Sequence, residues 1–159
     1  MAETVTAQNT DVGGKHLTLM LADEMYGIEI LKVREIIGMI DITPIPQTPS
    51  FVKGVINLRG KLIAVIDLRT KFGLQEKEYS SETCMIIVDI ANKQIGLIVD
   101  SVREVIDIVG ENISKTPSFG SNVNVQFIKG LGKVGKDVII ILDIDRVLND
   151  QEMVAVSSF

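Results

Sequence analysis

The chain is poor in the residues that carry most enzyme chemistry. It has one cysteine, Cys84, one histidine, His16, and no tryptophan. A lone cysteine excludes an internal disulfide and points to a reducing compartment. One Cys and one His cannot build a transition-metal site, and the acidic residues are scattered rather than clustered. No metal or cofactor is therefore expected. Aromatic residues make up only 4% and the formal net charge is −5. A nucleic-acid-binding barrel needs stacked aromatics on a basic face, so that class is disfavoured, as is docking on anionic lipid. Long apolar runs are missing too. The cleanest, "VIIIL" at 138–142, is far short of a membrane span. Residues 1–14 lack the basic and apolar regions of a signal peptide and read as a flexible tail. A cytoplasmic protein is expected, with residues 15–159 forming the folded domain.

What is abundant is aliphatic. Apolar residues reach 46%, mostly Ile, Val and Leu, which favours strands over helices. The chain also repeats itself. "YGIEILKVREII" (26–37) matches "IGLIVDSVREVI" (95–106) at an offset of 69. "TPSF" occurs at 48–51 and again at 116–119. "FVKGVINLRGKLIAVIDLRTKF" (51–72) matches "FIKGLGKVGKDVIIILDIDRVL" (127–148) at an offset of 76, the extra length falling in a polar loop at 120–126. Two copies are too few for a solenoid. They predict a pseudo-duplicated, intertwined domain.

Strand signals dominate each copy. "HLTLMLA" (16–22) followed by "YGIEI", with Asp-Glu between them, predicts a hairpin; "TCMIIVDI", "ANKQ" and "IGLIVDSV" predict the same hairpin again. "KLIAVIDL" and "DVIIILDI" are short β-branched runs. Asp67 and Asp143 follow them and are expected to cap helices. The longest helix is expected at about 143–155. The predicted class is all-β, in two small barrels.

The duplication serves as an internal control. Gly54 matches Gly130 and Asp67 matches Asp143, so these residue types are expected to hold the shared fold. Asn57-Leu58-Arg59-Gly60 matches Lys133-Val134-Gly135-Lys136. The second copy makes this turn without an arginine, which marks Arg59 for some other task.

No catalytic set emerges. Nothing local links Cys84 to His16; the expected reading is a small core residue and an exposed strand-edge histidine. "GLGKVGK" (130–136) lacks phosphate-loop spacing and precedes a strand, so it reads as a hairpin turn. Glu35 and Glu104, each in a V-R-E triplet, read as solvated ion-pair partners in opposite barrels. What remains is surface: a strand edge or an inter-barrel groove for a helix. "GMIDITPIPQTP" (38–49), with Pro44, Pro46 and Pro49 unable to donate ladder hydrogen bonds, reads as an edge or exit strand. A small-ligand-binding β-barrel is the alternative.

The stretch "FVKGVINLRGKLIAVIDLRTKFG", with "YGIEILKVREI" before it and "IGLIVDSVREVI" after it, strongly resembles the CheW family of bacterial chemotaxis coupling proteins. The resemblance runs from about residue 15 to 155. One departure is Ala64, where the family often has proline. The resemblance implies two five-stranded SH3-like barrels and no enzymatic activity. It implies two partners: the regulatory domain of the histidine kinase CheA and the helical cytoplasmic tip of the chemoreceptors. Carried over residue by residue, the receptor-facing positions are Val33, Glu35, Arg59, Val102 and Val105. The kinase-facing surface is expected in the 38–46 segment, at Met39, Ile40, Ile42 and Ile45.

Overall fold

The computed structural model describes residues 14–114 and 126–157. The second "TPSF" and all but Gln126 of the loop read at 120–126 lie outside these residues, as do residues 1–13 of the tail. Gly14, read as part of the tail, already belongs to the first strand.

Eleven strands are described: β1 (Gly14–Leu21), β2 (Glu24–Glu29), β3 (Val33–Gly38), β4 (Val52–Leu58), β5 (Lys61–Asp67), β6 (Cys84–Ile90), β7 (Lys93–Val99), β8 (Ser101–Ile108), β9 (Ile113–Ser114), β10 (Ile128–Val134) and β11 (Asp137–Leu142). They form two curled sheets. Barrel I has the order β8-β1-β2-β11-β10-β9 and barrel II the order β3-β6-β7-β5-β4. Apart from the two-residue β9, each barrel has the five strands expected.

The two sequence copies do not map onto the two barrels one to one. The leading hairpin of each copy is exchanged. β1–β2 joins β8, β10 and β11 of the second copy, while β6–β7 joins β3, β4 and β5 of the first. The exchange is sealed by parallel pairing, β2 with β11 and β7 with β5. Neither copy can therefore close a barrel alone.

Alternation along the strands distributes the aliphatic side chains to three cores. The largest lies between the barrels. It takes Leu17, Leu19 and Leu21 from β1 and Ile86, Val88 and Ile90 from β6. Ile56, Ile63, Val65, Met85 and Ile87 fill barrel II. Ile108, Ile139 and Ile141 fill barrel I. Each fully buried Ile or Leu contributes on the order of 1.5–3 kcal/mol, so the shared core welds the barrels together.

His16 corrects the reading of an exposed edge residue. β1 is central, paired with β2 and β8. His16 faces into barrel I and is fully buried. Its Nδ1 donates to the Gly14 carbonyl at 2.8 Å. The turns also differ by a residue or two from expectation. The β1–β2 turn is Ala22-Asp23 and the β6–β7 turn is Ala91-Asn92, all four with positive φ, as a two-residue type I′ loop requires.

Asp67 caps the short helix α1 (Leu68–Lys71), its Oδ1 accepting from the Arg69 N–H at 2.9 Å. Asp143 does not cap: a 3-10 turn, Ile144–Arg146, follows it without a side-chain cap bond. Among the described residues the longest helix is α2 (Asp150–Ser157), which starts later than the expected 143. Asn149 starts it through a reciprocal box with Glu152, both bonds 2.8 Å. Val156 buries fully in the inter-barrel core, and Glu152 pairs with Lys71 of α1 at 2.8 Å.

The Arg69–Asp100 pair also ties the two barrels together. Arg69 Nε donates to Asp100 Oδ1 at 2.7 Å and Nη2 to Oδ2 at 2.6 Å. Asp100 Oδ2 accepts in addition from the Ala22 N–H, in the β1–β2 turn of barrel I, at 3.0 Å. The Arg69 guanidinium holds the Asp100 carboxyl below its ordinary value of 3.8. A depressed carboxylate stabilises the fold above its unfolded pKa, and that stability is lost as pH falls through the folded one. The urea midpoint is thus expected to fall as pH drops below about 4. The Asp100→Asn variant should be less stable at neutral pH and show a smaller fall on acidification. Equal falls in both proteins would contradict this.

Candidate interaction surface

Arg59 sits at the tip of the β4–β5 hairpin. Leu58 pairs with Lys61, so the loop is Arg59-Gly60, with φ of 52° and 85°. The Asn57 side chain accepts from the Gly60 N–H at 2.8 Å and closes the turn. Asn57 and Gly60 therefore account for the turn chemistry, while Arg59 occupies a left-handed position that costs a non-glycine residue roughly 1–2 kcal/mol. The matching β10–β11 turn puts Gly135 there, with φ of 60°.

Arg59 Nη2 donates to Glu35 Oε2 on β3. The bond holds the guanidinium more firmly in its charged form. Its side chain is 68% exposed and that of Glu35 34%. Solvent screens an exposed ion pair, which adds little and does not outweigh the backbone strain. Stability thus gives no reason for an arginine here. A guanidinium has five N–H donors, so most remain free to face a partner.

The other receptor-facing candidates lie nearby in the fold or in its duplicate. Val33 and Val102 are half-buried against the inter-barrel core. Val102 opens β8 opposite Leu19, and its backbone N–H reaches the Cys84 sulfur at the seam. Burial raises the Cys84 thiol pKa. The thiol is thereby kept protonated and weakly nucleophilic, while His16 Nδ1 serves the Gly14 carbonyl. Val105 lies opposite Leu17 and is 48% exposed. The structure joins Glu35 to Arg59 directly, places Val33 and Val102 at the seam, and leaves Val105 on the surface of barrel I.

The 38–46 segment departs from the expected edge strand. β3 ends at Gly38, and beyond it only Thr43 pairs, with Val55. Met39 and Ile42 turn inward onto the core of barrel II. Both remain half-buried, as is Ile45, whereas Ile40 is exposed. The prolines and the close crossing over β4 end the strand.

The duplication also reveals surface residues that motif reading missed. Ile36 is the counterpart of Val105 at the offset of 69, and both are exposed. Ile40 and Val109 form a second such pair, and Leu62 and Val138 a third at the offset of 76. Leu31, at 91% the most exposed of the large apolar side chains, lies in the 3-10 turn between β2 and β3. Its counterpart is Asp100, so it too escapes a fold explanation.

These features define a class: a paired-barrel docking protein whose distinctive residues lie on its outside. Comparison with known proteins supplies the family. The sequence model of the CheW-like domain matches residues 15–152, and the chain belongs to that family. It is 39% identical to a chemotaxis protein CheW of Klebsiella aerogenes over 147 residues, covering 92% of this chain and 89% of that one. A chemotaxis protein CheW of Treponema pallidum is 30% identical over 141 residues, covering 86% of this chain and 83% of that one. Among solved structures, the scaffolding protein TtCheW of Thermoanaerobacter tengcongensis superposes with a TM-score of 0.80 at 38% identity. That match covers 89% of this chain and 96% of that one. The two SH3-like barrels expected from the resemblance are present. No described helix is long and apolar enough to cross a membrane.

Proposed function

We propose that this protein is a non-enzymatic adaptor of chemotaxis signalling that works in the cytoplasm at receptor arrays. It holds the helical tip of a chemoreceptor on one surface and the regulatory domain of the kinase CheA on another. The observation that carries the reading is Arg59, a strained, exposed, charged side chain that the fold does not require, bonded to Glu35 two residues along β3 from the half-buried Val33. Val33, Val102 and Val105 supply contact area for a helix; Arg59, oriented by Glu35, supplies the fork for a carboxylate. For the kinase, the 38–46 segment offers the exposed Ile40, with Met39, Ile42 and Ile45 half-buried around it.

Pull-down of purified kinase regulatory domain and of a receptor signalling fragment, each alone, tests this. The wild-type chain is expected to capture both. Val105→Asp should lose the receptor fragment by on the order of tenfold and keep the kinase, since it buries a charge in one contact alone. Capture of neither partner by the wild-type chain would refute the reading.

A further inference from the structure

The V-R-E triplet occurs twice, and its surroundings differ between the copies. In barrel II, Arg34 pairs with Asp89 at 3.6 Å and Glu35 with Arg59. In barrel I the positions matching Asp89 and Arg59 are Met20 and Gly135. Arg103 and Glu104 accordingly have no ion-pair partner among the described residues. Asp137, beside the hairpin turn, has none either.

The gap that Arg59 spans in barrel II is open in barrel I. A cavity of about 470 Å³ lies between β8 and the β10–β11 hairpin. Met25, Ile106, Val134 and Ile139 give it apolar walls, and Arg103, Glu104 and Asp137 line it with charge. One cation against two carboxylates leaves one negative charge in excess. Thr18, also lining the cavity, replaces the buried Ile87 of barrel II and so leaves room. Its hydroxyl donates to the Glu104 carbonyl at 2.6 Å and accepts from the Glu104 N–H at 3.0 Å. The backbone from which the Glu104 carboxylate projects is thus held at the β1–β8 bulge.

We infer that this cavity is a receiving site for an arginine side chain of a partner protein, which does in trans in barrel I what Arg59 does in cis in barrel II. The aliphatic stem lies along Met25, Ile106, Val134 and Ile139, and the planar fork meets the carboxylates of Glu104 and Asp137. Val102 lines the same cavity, so the site is continuous with the seam proposed above, and the protein source of the arginine rests on that reading.

The test uses the full ¹⁵N-labelled chain and N-acetyl-L-arginine methylamide, with the citrulline analogue as neutral isostere. Saturable shifts are expected at the amides of 102–106 and 134–137, with a dissociation constant on the order of millimolar. Citrulline should not produce them, and Glu104→Gln should abolish them in a protein whose spectrum is otherwise unchanged. Gly135→Arg, which copies the barrel II arrangement, should fill the site from within. It should also weaken capture of at least one of the two partners by about tenfold, the loss of a charge-assisted hydrogen bond. No saturable shift, equal shifts with citrulline, or unchanged capture of both partners by Gly135→Arg would each overturn the inference. Wild-type capture of the partners is scored separately, so failure of this site and failure of the adaptor reading are distinguishable.

Discussion

Replacing Arg59 with glycine is expected to leave the urea midpoint nearly unchanged and to weaken receptor-tip binding about thirtyfold. The two halves of this expectation have separate causes. On the stability side three small terms oppose one another. Glycine removes the left-handed penalty of roughly 1–2 kcal/mol, makes the unfolded chain more flexible at a cost of about 0.4–1 kcal/mol, and loses an exposed, solvent-screened ion pair that adds little. The net lies within about 1.5 kcal/mol of zero. On the binding side, an arginine within a contact is a frequent hot spot, and its truncation costs about 2 kcal/mol or more, which is the thirtyfold loss. Glu35→Gln separates direct contact from support. If Arg59 itself touches the receptor, Glu35→Gln should cost much less than Arg59→Gly. Comparable losses would mean that the pair shapes the surface as a unit. A large drop in stability for Arg59→Gly would show that the arginine belongs to the fold.

Gly54→Ala is expected to act on the fold instead, destabilising the protein severely. Gly54 has φ of +141°, a conformation that side chains rarely adopt. A Cβ built there would run into the backbone of Thr43 and Pro44, where the 38–46 segment crosses β4 and Thr43 exchanges hydrogen bonds of 2.8 and 2.9 Å with Val55. Backbone cannot swing aside as a side chain can. Relief requires breaking the crossing and exposing Met39 and Ile42, at an expected cost of about 3–5 kcal/mol. At the duplicate position, Gly130, an added Cβ would meet the Ser114 carbonyl at 2.8 Å. Gly130→Ala should therefore be damaging as well, though less so. Thermal or urea unfolding of both variants checks the order.

This contrast indicates which features were legible from sequence. Local features came through: Gly54 and Gly130 serving the shared fold, Asp67 capping α1, the hairpin turn within "GLGKVGK". The backbone hydrogen bonds confirm the equivalence, Asp67 N–H to Phe51 at 2.8 Å and Asp143 N–H to Phe127 at 2.8 Å. The exchange of leading hairpins was not legible, because which strand pairs with which is a long-range choice that periodicity does not encode. His16 was misplaced for the same reason: its burial depends on β8, about ninety residues downstream. Asp143 shares its residue type with Asp67 but is followed by a 3-10 turn, whose geometry took the place of the cap. The inward turn of Met39 and Ile42 was hidden by a pattern that alternates imperfectly on either reading. Of the candidate site, Glu35 and Arg59 were legible from the family resemblance, whereas the exposed Ile36 and Leu31 became apparent only once burial was known.

The central claim is that two separate surfaces of one small chain hold two partners at once. Sedimentation of the chain with an excess of receptor signalling fragment and CheA regulatory domain together tests it most directly. A single species containing all three proteins is predicted, and Arg59→Gly should reduce it to the complex with the kinase domain alone. Mutual displacement of the two partners, or a complex indifferent to Arg59→Gly, would contradict the account.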